Sequence, residues 1–209
     1  MAAKPKHPSY DVHPTVDYAR AVIANMPDKT GRSIKQWVKL LKADGPRETR
    51  ERRAGLKSEH GLGMTTGYMI VDWAEDSGKV DLDPKSYLAA APGRVDELYS
   101  GPREALRPIH DAVVAGARKR HRELRISPCT TIVPLYRQHV IAQLRPATQK
   151  RVDLGLALKR ATGRLPKRLI DTGGLAKGDR ITHRIPLEDP DQIDDLLWKW
   201  FEVAWELDA

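Results

Sequence analysis

Glu59-His60, set between a charged segment and the turn Gly61-Leu62-Gly63, is the adjacent pair best suited to chemistry. A carboxylate beside an imidazole can exchange protons with a substrate or bind a metal ion. Neighbours along a helix point apart, however. The run Lys57-Ser58-Glu59-His60-Gly61 also suits a helix end, with the glycine taking the left-handed turn. Capping is therefore the first reading and a ligand pocket the second. His183 lies between Thr182 and Arg184 in one strand-like run, and Arg151 and Asp153 belong to another. Strand alternation puts His183 on the face opposite Thr182 and Arg184, so the three line one pocket only if a bulge intervenes. Arg151 and Arg184 are expected to pair with acidic side chains of the last helix. Binding of phosphate or carboxylate by their guanidinium forks is the alternative. An enzyme would need Glu59 and His60 to meet His183, Arg151 or Arg184 in a pocket at a domain junction.

Anion binding has more support from composition. Arg118, Lys119, Arg120, Arg122 and Arg125 form one basic cluster, and Lys159, Arg160, Arg164, Lys167 and Arg168 another, both flanking strand ends. With aromatic residues at 6% and one Phe, stacking platforms for bases are scarce, so a nucleic acid would be held by its backbone. Cys129 reads as a small half-buried apolar residue, since no oriented histidine accompanies it. The seven histidines, His7, His13, His60, His110, His121, His139 and His183, include no His-Glu-x-x-His element, and no phosphate-cradling glycine loop occurs. No metal and no cofactor is expected. A hard ion held by the carboxylates of 188–195 is the alternative.

The elements that must position these groups follow from patterning on a chain of 209 residues, 40% hydrophobic and 31% charged, with net charge +8. Arg103 to Arg184 holds 19 basic and six acidic residues, a net +13, and Ile185 to Ala209 carries −7. Part of the basic face is thus expected to be neutralised by the chain's own terminal helix. A single cysteine, no apolar leader and no apolar run of about 18 residues lead to the expectation of a cytoplasmic protein with no membrane segment. Residues 1–15 read as a disordered leader and 16–76 as a small helical bundle. Helices are expected over Val16–Met26, ending at Pro27, over Ile34–Leu41 after an N-cap at Ser33, and over Met64–Trp73, apolar nearly all round. Residues 77–98 read as a linker. Residues 99–209 read as an α+β domain whose antiparallel sheet is flanked by two helices, the first opened by Pro102 and the second following 188–195. Val152, Leu154, Leu156 and Leu158 alternate with Asp153, Gly155 and Ala157 as in a half-buried strand.

Two segments resemble a pair of uncharacterised bacterial domains found in tandem. The first carries Gly31-Arg32-Ser33-Ile34-Lys35-Gln36-Trp37 and Leu56-Lys57-Ser58-Glu59-His60-Gly61-Leu62. The second carries Tyr99-Ser100-Gly101-Pro102 through Ile109, Arg151-Val152-Asp153-Leu154-Gly155-Leu156, and Thr182-His183-Arg184. The chain departs from that pattern at Pro128-Cys129-Thr130-Thr131, where lysines usually follow the proline. The second domain is sometimes labelled a predicted transport protein, and its layout is similar to that of small frataxin-like iron chaperones, which implies a metal chaperone as a further alternative. The favoured expectation is a binding or accessory protein, not an enzyme. Its anionic partner would be a nucleic-acid backbone or a phosphate or carboxylate ligand. Arg118, Lys119, Arg120, Arg122, Arg125, Arg151, Lys159, Arg160 and Arg184 would hold the anion, with Glu59, His60 and His183 as a second candidate pocket. The sequence sets no oligomeric state.

Overall fold

In the computed structural model, which describes residues 8–75 and 82–209, Ser33 opens a helix with a reciprocal capping box. The Gln36 amide donates to the Ser33 hydroxyl, and the Ser33 amide donates to the Gln36 side-chain oxygen at 2.8 Å. The chain before it forms α1 (Pro14–Ala24) and α2 (Met26–Thr30). Pro27 does not end a helix as patterning suggested. It sits in the first turn of α2, where its missing N–H has no role to fill. The capped helix α3 (Ile34–Asp44) buries Ile34, Trp37 and Leu41. It is followed by α4 (Thr49–Ser58), which buries Leu56, and α5 (Met64–Ala74), which buries Gly67, Ile70, Val71 and Ala74. The expectation that α5 is buried all round fails, because Met64 and Tyr68 on its other side are exposed. Met26, Trp37, Leu41, Leu56, Leu62, Ile70 and Val71 share one core. Replacing Ser33 with alanine leaves the Gln36 amide without its acceptor, and chemical denaturation of the full chain is expected to show a loss of about 1 kcal/mol.

The chain divides into two compact units, Val12–Ala89 and a second formed by Ala90–Ala209 with the segment that ends at Asp11. The expected linker needs correction. Its residues 77–81 lie outside the described residues, and most of the remainder is helix α6 (Pro84–Leu98). Asp83 accepts from the Ser86 amide at 2.8 Å at its start, and Tyr87, Ala91, Val95 and Leu98 recur on one buried face. Pro92-Gly93, a turn signal inside the helix, hid that periodicity. In the expected leader, residues 1–7 lie outside the described residues. Ser9 and Asp11 are held: Arg118 donates to the Ser9 carbonyl at 2.7 Å and to Asp11 at 2.8 Å, and the Asp11 amide donates to the Ile126 carbonyl at 2.8 Å.

The second unit is an α+β domain. A 3-10 segment, Gly101–Leu106, leads into α7 (Arg107–Arg120), followed by β1 (Arg125–Ile126), β2 (Val133–Tyr136), β3 (Val140–Pro146), β4 (Val152–Leu156), β5 (Ile170–Asp171), the short α8 (Gly174–Lys177), β6 (His183–Leu187) and α9 (Asp195–Glu206). The strands form one antiparallel sheet in the order β1-β2-β3-β4-β6-β5. Val133, Leu144, Leu154 and Ile185 of the sheet share a core with Ile109, Val113, Val114 and Ala117 of α7 and with Leu197, Phe201 and Ala204 of α9. The two helices approach closely at Gly116, where a Cβ would lie 2.4 Å from the Trp198 ring. Strand β4 is buried along its whole length, not half-buried. Among the described residues no helix is long and apolar enough to cross a membrane.

Candidate anion-binding site

The face of the sheet that carries Asp153 and Gly155 is polar. Register places Arg145 directly opposite Asp153 across β3 and β4, and Gln143 and Arg184 on either side of Gly155. Asp153 is nearly buried, its side chain 11% exposed, and each of its oxygens lies against a guanidinium, with a hydrogen bond at Oδ2 and an ion-pair contact without hydrogen-bond geometry at Oδ1. Arg151 Nε lies 2.8 Å from Oδ1, and Arg184 donates to Oδ2 at 2.6 Å. Two guanidinium groups therefore pair with one carboxylate, and Arg145, opposite it in register, forms no ion pair among the described residues. Asp171 lines the same hollow, so acidic and basic groups are close to balance there, and Arg145 is its guanidinium without an ion-pair partner among the described residues. Gly155 permits a close approach: a Cβ there would stand 2.6 Å from Ile181 Cγ2 and 3.0 Å from Gln143 Cγ. Ile181 thus lies against the strand, and its segment forms a wall beside the polar face.

Two adjoining hollows of about 360 and 470 Å³ result, and Gln143, Arg145, Thr172 and Ile181 line both. Arg184, Asp153 and Asp171 complete the first, and Asp179 and Arg180 the second. Arg180 is fixed, because its Nε donates to the Val140 carbonyl at 2.7 Å and its guanidinium pairs with Asp208. The Thr172 hydroxyl is turned to the Thr182 carbonyl at 2.9 Å. Concave shape, fixed polar walls and an uncommitted guanidinium are the ingredients of a site for a small anion.

The structure separates the residues that sequence grouped together. Register puts the α7–β1 connection, the β2–β3 turn and the segment after β4 at one end of the sheet, so Arg118–Arg125 and Lys159–Arg160 share that end. Three strand spacings, about 14 Å, separate β1 from β4 there. Several of these cations are already engaged. Arg118 holds Asp11, Arg125 donates to the Arg137 carbonyl at 3.0 Å, and Arg120 lies 3.9 Å over the Trp198 ring and 3.8 Å from Glu202. Lys119, Arg122, Lys159 and Arg160 are exposed. Arg151 and Arg184 lie instead on the polar face and pair with Asp153, not with the last helix as expected. The reason is cross-strand adjacency, which places Arg184 opposite Gly155, two residues along β4 from Asp153 and on the same face. Helix α9 takes other partners: Arg168 pairs with its N-cap Asp194 at 2.6 Å, and Arg137 donates to the Trp205 carbonyl at 2.9 Å.

Glu59 and His60 cap α4. The Gly61 amide donates to the Lys57 carbonyl at 3.0 Å, the Leu62 amide donates to the Leu56 carbonyl at 3.1 Å, and Gly61 has φ 65°. Both side chains belong to the first unit, and His183 belongs to the second, where its Nδ1 lies 2.9 Å from the Thr182 hydroxyl. Sequence reasoning passed over Arg145, Gln143 and Arg180. It named His110 only among the histidines without a metal motif; this residue is buried, and its Nδ1 is 2.9 Å from Asp111. Burial raises the Asp111 carboxyl, but hydrogen bonds from His110 and Arg107 outweigh it and hold the group below its usual range. In the same region burial pushes Tyr10 up to about 12, with the nearby Arg107 opposing. These are marks of a closed structural network. Cys129 is half-buried, with Sγ 3.8 Å from the Ser127 carbonyl. No group of three or more His, Cys, Asp or Glu among the described residues is arranged to hold a metal ion.

Residues 95–208, which include the whole polar face, match the family described as Domain of unknown function (DUF5655). The chain belongs to the DUF5655 family. Residues 19–76 match a second family, Domain of unknown function (DUF4287), so two uncharacterised domains stand in tandem. No curated protein and no solved structure matches the chain. The DUF5655 domain contains both hollows, all six strands and helices α7 and α9.

Proposed function

We propose that the DUF5655 domain binds a small ligand carrying a carboxylate or phosphate group, which sits on the polar face of the sheet against Arg145 and Arg184. The observation that carries this reading is Arg145, which among the described residues forms no ion pair and lines a concave site beside the Arg184–Asp153 pair. A guanidinium fork matches two oxygens of such an anion, and Gln143 adds a neutral amide beside it. A second reading, backbone contact with a nucleic acid, is favoured by Lys119, Arg122, Lys159 and Arg160 standing exposed at one end of the sheet.

Calorimetric titration with inorganic phosphate, citrate and a mononucleotide, beside a labelled oligonucleotide, tests both. Saturable binding of at least one small anion is expected, about tenfold weaker after Arg145→Gln and unchanged after Lys119→Gln with Arg122→Gln. Indifference to Arg145→Gln would overturn the small-ligand reading. Oligonucleotide binding that falls with salt by a log-log slope of about −0.9 per phosphate contact, and that requires Lys119 and Arg122, would establish the second.

A further inference from the structure

The first unit contains a recess unrelated to the anion site, and its charge is of the opposite sign. Between α3 and α4 lies a groove of about 480 Å³, inside the range of about 300–1,000 Å³ usual for small-molecule sites. Leu40, Leu41 and Leu56 give it an apolar lining, and the carboxylates of Asp44 and Glu59 stand on its rim. Among the described residues neither acid forms an ion pair. Arg52, also on the rim, is committed elsewhere: its Nε donates to the Pro46 carbonyl at 2.6 Å, and its guanidinium lies 3.4 Å from Glu75. The His60 ring stands edge-on to Trp37 at 5.0 Å, and among the described residues it forms no ion pair. A protein of net charge +8 thus presents one concave surface with an apolar floor and an uncompensated negative rim.

Glycine usage supports a ligand here. Gly55 lies inside α4, where glycine is less stable than alanine. Crowding does not require it, because the nearest atom to a Cβ at that position would be Glu59 Oε1, 3.6 Å away. Gly55 does line the groove. A methyl group there would occupy space that the glycine leaves to an occupant.

We infer that this groove binds a small organic cation, an ammonium or guanidinium group on an apolar body. The body lies on Leu41 and Leu56, and the charge rests between Asp44 and Glu59. Desolvated apolar contact supplies the affinity, and the two acids select the sign of charge.

The test is an NMR titration of the full chain with benzyltrimethylammonium and, separately, with benzenesulfonate, an aromatic anion of similar size. The ammonium is expected to shift the amides of Leu41, Gly55 and Glu59 saturably, and the sulfonate is expected to leave them in place. Asp44→Asn combined with Glu59→Gln is expected to weaken the ammonium about tenfold. Gly55→Ala is expected to weaken it as well while raising the thermal midpoint, so the loss cannot be ascribed to unfolding. Equal binding of the sulfonate, no saturable shift, or an affinity unchanged by removal of the two carboxylates would overturn the inference. The Arg145→Gln variant serves as a control, expected to bind the ammonium as the unaltered chain does.

Discussion

Replacing Asp208 with alanine is expected to destabilise the second unit by about 3 kcal/mol, read as a lower urea midpoint with an unchanged slope. The carboxylate is buried, its side chain 3% exposed, and it is the acceptor at which three chain segments meet. Oδ2 accepts from the backbone amides of Gln138 at 2.9 Å and His139 at 2.8 Å, which fixes the β2–β3 turn. Oδ1 accepts from His139 Nδ1 at 3.0 Å and from Arg180, the residue that also forms part of the polar-face groove. Alanine leaves the two amides and the guanidinium without their acceptor, and hydrogen bonds to a charged group are each worth about 1.5–3 kcal/mol. Part of that is recovered, because Arg180 and His139 are exposed enough to turn to water.

The same carboxylate sets a pH dependence. Burial raises its pKa, but the backbone and side-chain bonds from His139 and the charge of Arg180 outweigh burial, so the folded value lies below the ordinary one. A carboxyl depressed in the folded state stabilises the protein above its unfolded pKa of about 3.9, and that stabilisation is lost as pH falls through the lower folded value. The stability gap between the unaltered chain and Asp208→Asn should therefore be full at pH 7 and shrink below about pH 4. A gap independent of pH between 7 and 3 would show that the charge of Asp208 contributes nothing.

Asp153→Asn is expected to cost about 2 kcal/mol at low ionic strength. The substitution keeps the shape of the side chain and removes the negative charge at the centre of Arg145, Arg151 and Arg184. Loss of one partner from a fully buried ion pair costs about 3–5 kcal/mol, but the Arg151 and Arg184 side chains are 28% and 33% exposed, and water screens what remains. Sulfate added at millimolar concentration should restore stability to the variant more than it stabilises the unaltered chain, since an external anion in the adjoining hollow can neutralise cations that have lost their charged partner. Equal stabilisation of both proteins by sulfate, or no loss in the variant, would remove Asp153 as the organiser of this face and weaken the anion reading with it.

Local pattern was enough for much of the architecture. Ser33 with Gln36, and Gly61 after Lys57, are contained within a few residues, so the chain's own spacing specifies a helix start and a helix end. The division into a helical bundle and an α+β domain follows from a change of hydrophobic period from about 3.6 to 2 along the chain, and the structure has that order. Reading failed where local chemistry was ambiguous. Pro27 is compatible with both the end and the beginning of a helix, and Pro92-Gly93 inside α6 makes that helix look like a loop.

The polar face of the sheet shows the division between sequence and structure most directly. Composition alone established that the second half of the chain is basic and its end acidic, because charge is a property of residues and needs no fold. Which cations stay available was decided by the tertiary structure. Strand register places Arg145 opposite Asp153, and Arg151 and Arg184 occupy its two oxygens. Asp11 occupies Arg118, Asp194 occupies Arg168, and Asp208 occupies Arg180. Apart from Arg151 with Asp153, two residues apart along β4, these pairings join residues distant in sequence or lying on different strands. Coulombic and hydrogen-bond energies depend on separations of a few ångströms, which the linear order of amino acids does not contain.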